Sequence, residues 1–280
     1  MPSCSWGRSL AGETGHGRSP VVAVPQEIVT MRTYGAIAAS GGGRNHSFAI
    51  TSNGNVLTWG KVRVLLLLLD SRILHCNADP SQDKFGQLGH GERCDQMEPL
   101  PVQVFAGVRV LQVACGIAHT IFLTEDSRVF ACGKGGGGRL GFGDAHPRNT
   151  PIQLNPRNFI VHPTAGKESR VGFVFAGHGH SGALCRDGAA YMWGHAARGQ
   201  LGLDLDASSV YWPTFVDTLS REVIVSAAAS YGTTLFVNDA GDVYSCGTCK
   251  WGSHGHGRGA MIKLPQLVAE LCGKYTLRWP

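Results

Sequence analysis

Residues 114–144, ACGIAHTIFLTEDSRVFACGKGGGGRLGFGD, decide how this chain folds. They hold two short apolar runs, TIFLT (120–124) and RVFAC (128–132), separated by Asp126-Ser127. Short β-branched and aromatic runs around an Asp-Ser pair are the chemistry of a β-hairpin. VLQVACG (110–116) precedes them and TPIQL (150–154) follows, so the local reading is four consecutive strands. No apolar period of 3.6 residues is sustained anywhere, which argues against helices.

The same unit recurs along the chain. HSFAITSNGNVLTWG (46–60), HTIFLTEDSRVFACG (119–133), HSGALCRDGAAYMWG (180–194) and TTLFVNDAGDVYSCG (233–247) align without a gap. Hairpin pairs NG, DS, DG and AG fall at 53–54, 126–127, 187–188 and 240–241. An aromatic or Cys followed by Gly closes each unit, at Gly7, Gly60, Gly133, Gly194 and Gly247, with a second glycine downstream at Gly12, Gly86, Gly138, Gly199 and Gly252. The spacing is five residues in four units. In the second it becomes five when 62–82 are set aside as an insertion. A fixed period means one small supersecondary unit stacked on copies of itself. Four antiparallel strands per repeat of about 50 residues is a β-propeller blade. The expected fold is all-β: a single propeller-type array over 1–280, with about five blades in units near 1–35, 36–105 (insertion 62–82), 106–155, 171–217 and 223–272.

Composition fits. Gly makes up 39 of 280 residues, about twice the usual share, mostly at repeat-fixed turns. Apolar content of 43% with 16% charged residues suits a large buried core. A net charge of +5 is mild, and the basic residues form no cluster or tail of the kind that dominates nucleic-acid affinity. Contact with chromatin is permitted, not indicated. VLLLLL (64–69) is far too short to span a bilayer, so no membrane partner is expected. Nine cysteines without framework spacing, and no signal peptide, suggest reduced thiols and an intracellular, cytoplasmic or nuclear location.

Residues 114–144, DKFGQLGHGE (83–92), HAARGQLGLD (195–204) and AGETGHG (11–17) resemble the regulator of chromosome condensation repeat family. The resemblance covers nearly the whole chain apart from 62–82 and the last residues. It implies a propeller, in this family usually of seven blades. Ser230 and Thr233 depart from the Gly and His of the pattern, and Cys132 and Cys246 from its Trp. Two functions follow from the resemblance. One is a scaffold that binds protein partners through blade loops; the other is guanine-nucleotide exchange on a small Ran-like GTPase. Exchange works by protein contact and needs no nucleophile, so the residues do not separate the two. The loop pairs Arg44-Asn45, Ile117-Ala118, His178-Gly179 and Tyr231-Gly232 vary freely and offer no acidic patch for a GTPase.

Other motifs have plain readings. Gly133–Gly138 satisfies GxGxxG, but Gly133 and Gly138 are repeat anchors and no helix follows, so a dinucleotide site is not expected. Gly166-Lys167-Glu168 and Gly273-Lys274-Tyr275 lack the rest of a phosphate loop. Cys246-Gly-Thr-Cys249 is a lone CxxC, where structural zinc usually wants two such pairs. His46, His119 and His180 share one repeat column, and His16, His90 and His256 another inside a GHG turn. Such columns read as hydrogen-bonded structural histidines rather than a metal set. No catalytic constellation, cofactor, metal site or small-molecule substrate is expected.

At about 53 residues per unit the chain is short of a seven-blade ring, so an open five-blade arc is expected. Excising 62–82 restores WGKDKFGQLGHG, which suggests a retained in-frame intron, with a true loop insertion as the alternative. The segment should add no blade strand. The long 155–173 connection carries Arg157, Lys167, Glu168 and Arg170 and is the candidate partner-binding loop. The repeat glycines and histidines are assigned to structure.

Overall fold

A computed structural model describes residues 4–8, 13–17, 21–44, 46–60, 85–92, 94–159, 170–248, 252–257 and 261–272. The 62–82 insertion, Gly12, Lys167, Glu168 and Cys249 lie outside these. Five antiparallel sheets follow one another in chain order. The first has two strands, β1 (Cys4–Arg8) and β2 (Val21–Glu27). The second runs β3 (Ile37–Gly42), β4 (His46–Thr51), β5 (Val56–Gly60), β6 (Gln96–Pro101). The third runs β7 (Val110–Cys115), β8 (His119–Thr124), β9 (Val129–Gly133), β10 (Arg148–Gln153). The fourth runs β11 (Val171–Ala176), β12 (His180–Cys185), β13 (Ala190–His195), β14 (Ser209–Phe215). The fifth runs β15 (Ile224–Ala229), β16 (Thr233–Asn238), β17 (Val243–Gly247), β18 (Ile262–Leu267). Within each four-stranded sheet the strands pair in sequence order. The first strands β3, β7, β11 and β15 abut one another, so they are the inner strands of the array.

The hairpins between second and third strands are three-residue loops rather than two-residue turns. Thr51 N donates to Asn55 O and Gly54 N to Thr51 O, and the pattern repeats at Thr124, Cys185 and Asn238. The last loop residue is left-handed each time: Gly54, Ser127 (φ 67), Gly188 and Gly241. A three-residue loop ending in a left-handed residue suits strand twist, and this is why Gly recurs there.

Cores form between sheets, as strand geometry requires. Side chains alternate faces with period two, so along β8 Phe122 joins Phe48, Ile50 and Val113 on one side. Ile121 and Leu123 join Val174, Ala183 and Trp193 on the other. At equivalent strand positions of the aligned units, Leu123, Val129 and Leu184 are buried. Their counterparts Val237 and Val243 are only half-buried, because no described element covers that face of the fifth sheet.

One recurring element was not foreseen. A 3-10 turn follows the last strand of each sheet, at Val29–Tyr34, Gln103–Phe105, Pro156–Phe159, Asp217–Leu219 and Ala269–Leu271. It swings Met31, Phe105, Phe159 and Leu219 into the cores. The sequence signal is an apolar pair three apart, as in Val102/Phe105 and Val216/Leu219, closed by the backbone bonds Phe105 N to Val102 O and Leu219 N to Val216 O.

Candidate functional site

The site is built on the turns between first and second strands. Gly43 N donates to His46 O, and Gly116/His119, Gly177/His180 and Ser230/Thr233 repeat that bond. Each tight turn buries its last residue, His46, His119, His180 or Thr233, and lifts one residue to its tip: Arg44, Ile117, His178 or Tyr231.

The histidine column joins neighbouring sheets. His46 Nε2 lies 3.0 Å from Thr120 Oγ1, His119 Nε2 2.9 Å from Ser181 Oγ and His180 Nε2 3.0 Å from Thr234 Oγ1. Each hydroxyl spends its single proton on a carbonyl of the loop after a third strand: Thr120 on Gln87 O, Ser181 on Arg139 O, Thr234 on Gln200 O. The histidines must therefore donate through Nε2, in their neutral form. Burial holds His46 at about 4 and His180 at about 3, and pushes His119 well below the ordinary value.

The same loop carbonyls receive the third-strand residue of the next sheet. Trp193 Nε1 donates to Arg139 O, and Trp59 Nε1 to Glu13 O. Cys132 Sγ stands 3.6 Å from Gln87 O, so Cys replaces Trp with a weaker donor in the same role. The GHG histidines act within their own unit. Nε2 of His16, His90 and His256 meets Ser5, Thr58 and Ser245 at 3.0, 2.9 and 2.9 Å. Where the loop residue is Phe142 or Leu203, the strand partner is Ala131 or Met192, and the pair packs in a hydrophobic cluster instead.

Both anchor glycines face backbone. A Cβ on Gly133 (φ 107) would lie 2.5 Å from Ala118 O, one on Gly194 2.6 Å from His180 Cα, and one on Gly247 2.1 Å from Gly232 O. Gly60 shares the conformation and pairs directly with His46. Gly86, Gly138 and Gly199 press on Asn149, Val210 and Ile262 of the next sheet's outer strand. Gly7 lies in β1, and Gly252 has φ 73 with nothing within 4 Å of its Cβ direction. Within the GxGxxG run Gly133, Gly135 and Gly138 face protein backbone, a Cβ on Gly135 meeting His146 O, and Gly137 faces the His195 ring, so packing accounts for these glycines. The turn glycines and histidines are coupled too. A Cβ on Gly116 would meet the His119 ring at 2.0 Å, and the unit with Thr233 instead of His carries Ser230 instead of Gly.

Four tip residues converge. Arg44, Ile117, His178 and Tyr231 line one hollow of about 270 Å³ between the inner strands. Backbone bonds tie the tips together, Ile117 N to His178 O and His178 N to Ser230 O. Sequence alignment put these residues in one column, but not around one opening. The expected loop residues Arg157 and Arg170 are exposed, flanking 160–169, and do not line this hollow.

The remaining motifs stay apart. His178 faces Tyr231 while His180 is buried on Thr234, so that His-Gly-His pair does not converge. Among the described residues no three His, Cys, Asp or Glu side chains are placed to hold a metal. Cys246 is buried and its thiol pushed up to about 12, which disfavours thiolate chemistry. Cys94 is disulfide-bonded, a departure from the expected reduced thiols. No helix among the described residues is long and apolar enough to cross a membrane.

Comparison with known proteins agrees with the geometry. A family model described as the regulator of chromosome condensation (RCC1) repeat matches residues 82–123 and 187–237. A second model of the same description matches 36–61 and 110–139. The ultraviolet-B receptor UVR8 of Arabidopsis thaliana is 29% identical over 255 residues, covering 91% of this chain and 51% of its own. The human E3 ubiquitin-protein ligase HERC2 is 31% identical over 276 residues, 98% of this chain but 5% of that protein. The chain thus spans about half of one relative and a small part of the other. In a crystal structure of Kap60 bound to yeast RCC1 (Prp20), one chain superposes with TM-score 0.73 at 24% identity, covering 94% of this chain and 59% of that one. With its five sheets in the same fold and its repeats matched in both series, this chain belongs to the regulator of chromosome condensation repeat family.

Proposed function

We propose that this protein is an interaction scaffold that holds protein partners through its blade loops. One observation carries the reading. A single backbone position, repeated in four units, presents Arg44, Ile117, His178 and Tyr231 around one opening, while the turn's last residue, His46, His119, His180 or Thr233, is buried. Variation on a fixed frame is where recognition resides. The 155–173 connection, with Arg157 and Arg170 exposed and Lys167 and Glu168 in its undescribed part, is a second surface for the same role.

Cross-linking with mass spectrometry tests the reading. Alanine at the four tips, and separately at Arg157 and Arg170, should change the set of cross-linked partners while stability stays within about ±0.5 kcal/mol. An unchanged partner set with both groups replaced would sink it. The second reading, nucleotide exchange on a small GTPase, follows from the family resemblance. Accelerated nucleotide release in a small-GTPase panel would establish it, and no acceleration would remove it.

A further inference from the structure

Positive charge gathers at and behind the opening, and no ion pair among the described residues offsets it. Arg198 lies over the Tyr231 ring at 4.5 Å, and His178 meets the same ring at 4.6 Å. Behind them Arg139, 5% exposed, donates through Nε to Gly136 O, and its Nη2 lies 2.9 Å from His195 Nε2. Burial first, and then the cations Arg139, Arg44 and Arg198, hold His178 below its ordinary value; burial with Arg139, Lys134 and Arg198 does the same to His195. Among the described residues no carboxylate offsets them at either ring. The ion pairs among the described residues lie elsewhere, and none involves Arg44, Lys134, Arg139 or Arg198. Gathering cations without a counter-charge raises the local potential and costs stability unless an anion arrives.

We propose that this opening is the docking site for an acidic segment of a partner polypeptide, whose carboxylates are received by Arg44, His178 and Arg198. The assignment rests on the scaffold reading and names the chemistry of its partner. Arginines at the rim suit carboxylates, which they can bind through paired N–H groups. A nucleic acid fits less well. Single-strand binding needs a charged groove with free aromatic faces for stacking, whereas here the cations surround a compact hollow. Tyr231 already carries Arg198 on its face and His178 beside it.

The experiment uses the full chain and fluorescence anisotropy. The probes are a labelled peptide alternating Glu and Gly, the same peptide with Gln for Glu, and a single-stranded thymidine oligonucleotide. The Glu peptide should bind, weaken as salt rises, and outcompete the Gln peptide. Arg44→Gln or Arg198→Gln should each weaken it about three- to tenfold, the pair should abolish binding, and Arg128→Gln, remote and ion-paired, should change nothing. Both substituted arginines are exposed, and matching melting curves confirm the fold. The proposal is overturned if the Glu peptide fails to bind, if the double variant binds it as well as the parent, or if the oligonucleotide alone binds through these arginines. If partner cross-linking depends on the tips while the Glu peptide does not bind, the scaffold reading stands and only the acidic-segment assignment falls.

Discussion

His119 Nε2 and Ser181 Oγ, 62 residues apart in sequence, lie 2.9 Å apart in the core. Ser181 passes its own proton to Arg139 O, which also receives Trp193 Nε1. One carbonyl between third and fourth strands thus gathers two donors from the next sheet, and the histidine one sheet back closes the chain of bonds. In a repeat array stability is largely a sum of unit and interface contributions, and this arrangement is the polar part of the interface.

A double-mutant cycle on His119→Ala and Ser181→Ala should show coupling of about 1 kcal/mol, the net worth of a buried neutral hydrogen bond. His119→Ala alone should cost about 2–4 kcal/mol, because it adds a cavity to the lost bond. Urea unfolding measures all three. Additive single effects would mean that the bond contributes nothing to stability.

Acid should weaken the fold before any carboxylate titrates. The buried histidines titrate near 4 (His46), near 3 (His180) and well below the ordinary value (His119), against about 6.5 unfolded. Below pH of about 6.5 the unfolded chain binds more protons, so stability falls with pH. Each histidine costs about 1.4 kcal/mol per pH unit until its folded value is reached. The urea midpoint should drop steeply between pH of about 6.5 and 5; a flat profile there would contradict neutral buried rings.

Glycines should separate by what a Cβ would meet. Gly133→Ala, with φ 107 and Ala118 O at 2.5 Å, should cost more than about 3 kcal/mol. Gly252→Ala, with φ 73 and open space, should cost about 1 kcal/mol. Gly136→Ala has no left-handed φ and its nearest neighbour, Lys134 Cε, at 3.5 Å, and should stabilise by about 0.5 kcal/mol through the unfolded state. Thermal unfolding of the three gives the order, and equal effects would refute it.

The GHG histidine and its strand hydroxyl should be replaceable only together. Thr58→Ala leaves His90 without its side-chain partner and should cost about 1–2 kcal/mol. Combining it with His90→Phe reproduces the Ala131/Phe142 pairing of the following unit. The double variant should be more stable than the summed single effects by about 1 kcal/mol. If it is no better than the sum, the alternation between units carries no energy.

The fold was legible because a repeat prints the same physical demand several times. Period-two runs such as TIFLT place one face toward each neighbouring sheet, and the Gly-marked turns bound them. Glycines that a single copy leaves unexplained became structural once they recurred at fixed offsets. Less visible were the 3-10 turns holding Phe105 and Leu219, since an apolar pair three apart is too short a signal to stand out. Ser230 and Thr233 read separately as two defects, although the space that the missing His119-type ring frees at Ser230 makes them one exchange.

From the sequence alone came the all-β fold and its repeated antiparallel strands, local demands with a fixed period. Which side chains meet across units is not periodic information. That His119 reaches Ser181, or that Arg44, Ile117, His178 and Tyr231 surround one hollow with Arg198 at its rim, depends on the angle at which each sheet packs on the next. Turn tips vary from unit to unit because packing does not constrain them, so their shared opening exists only once the inner strands have come together.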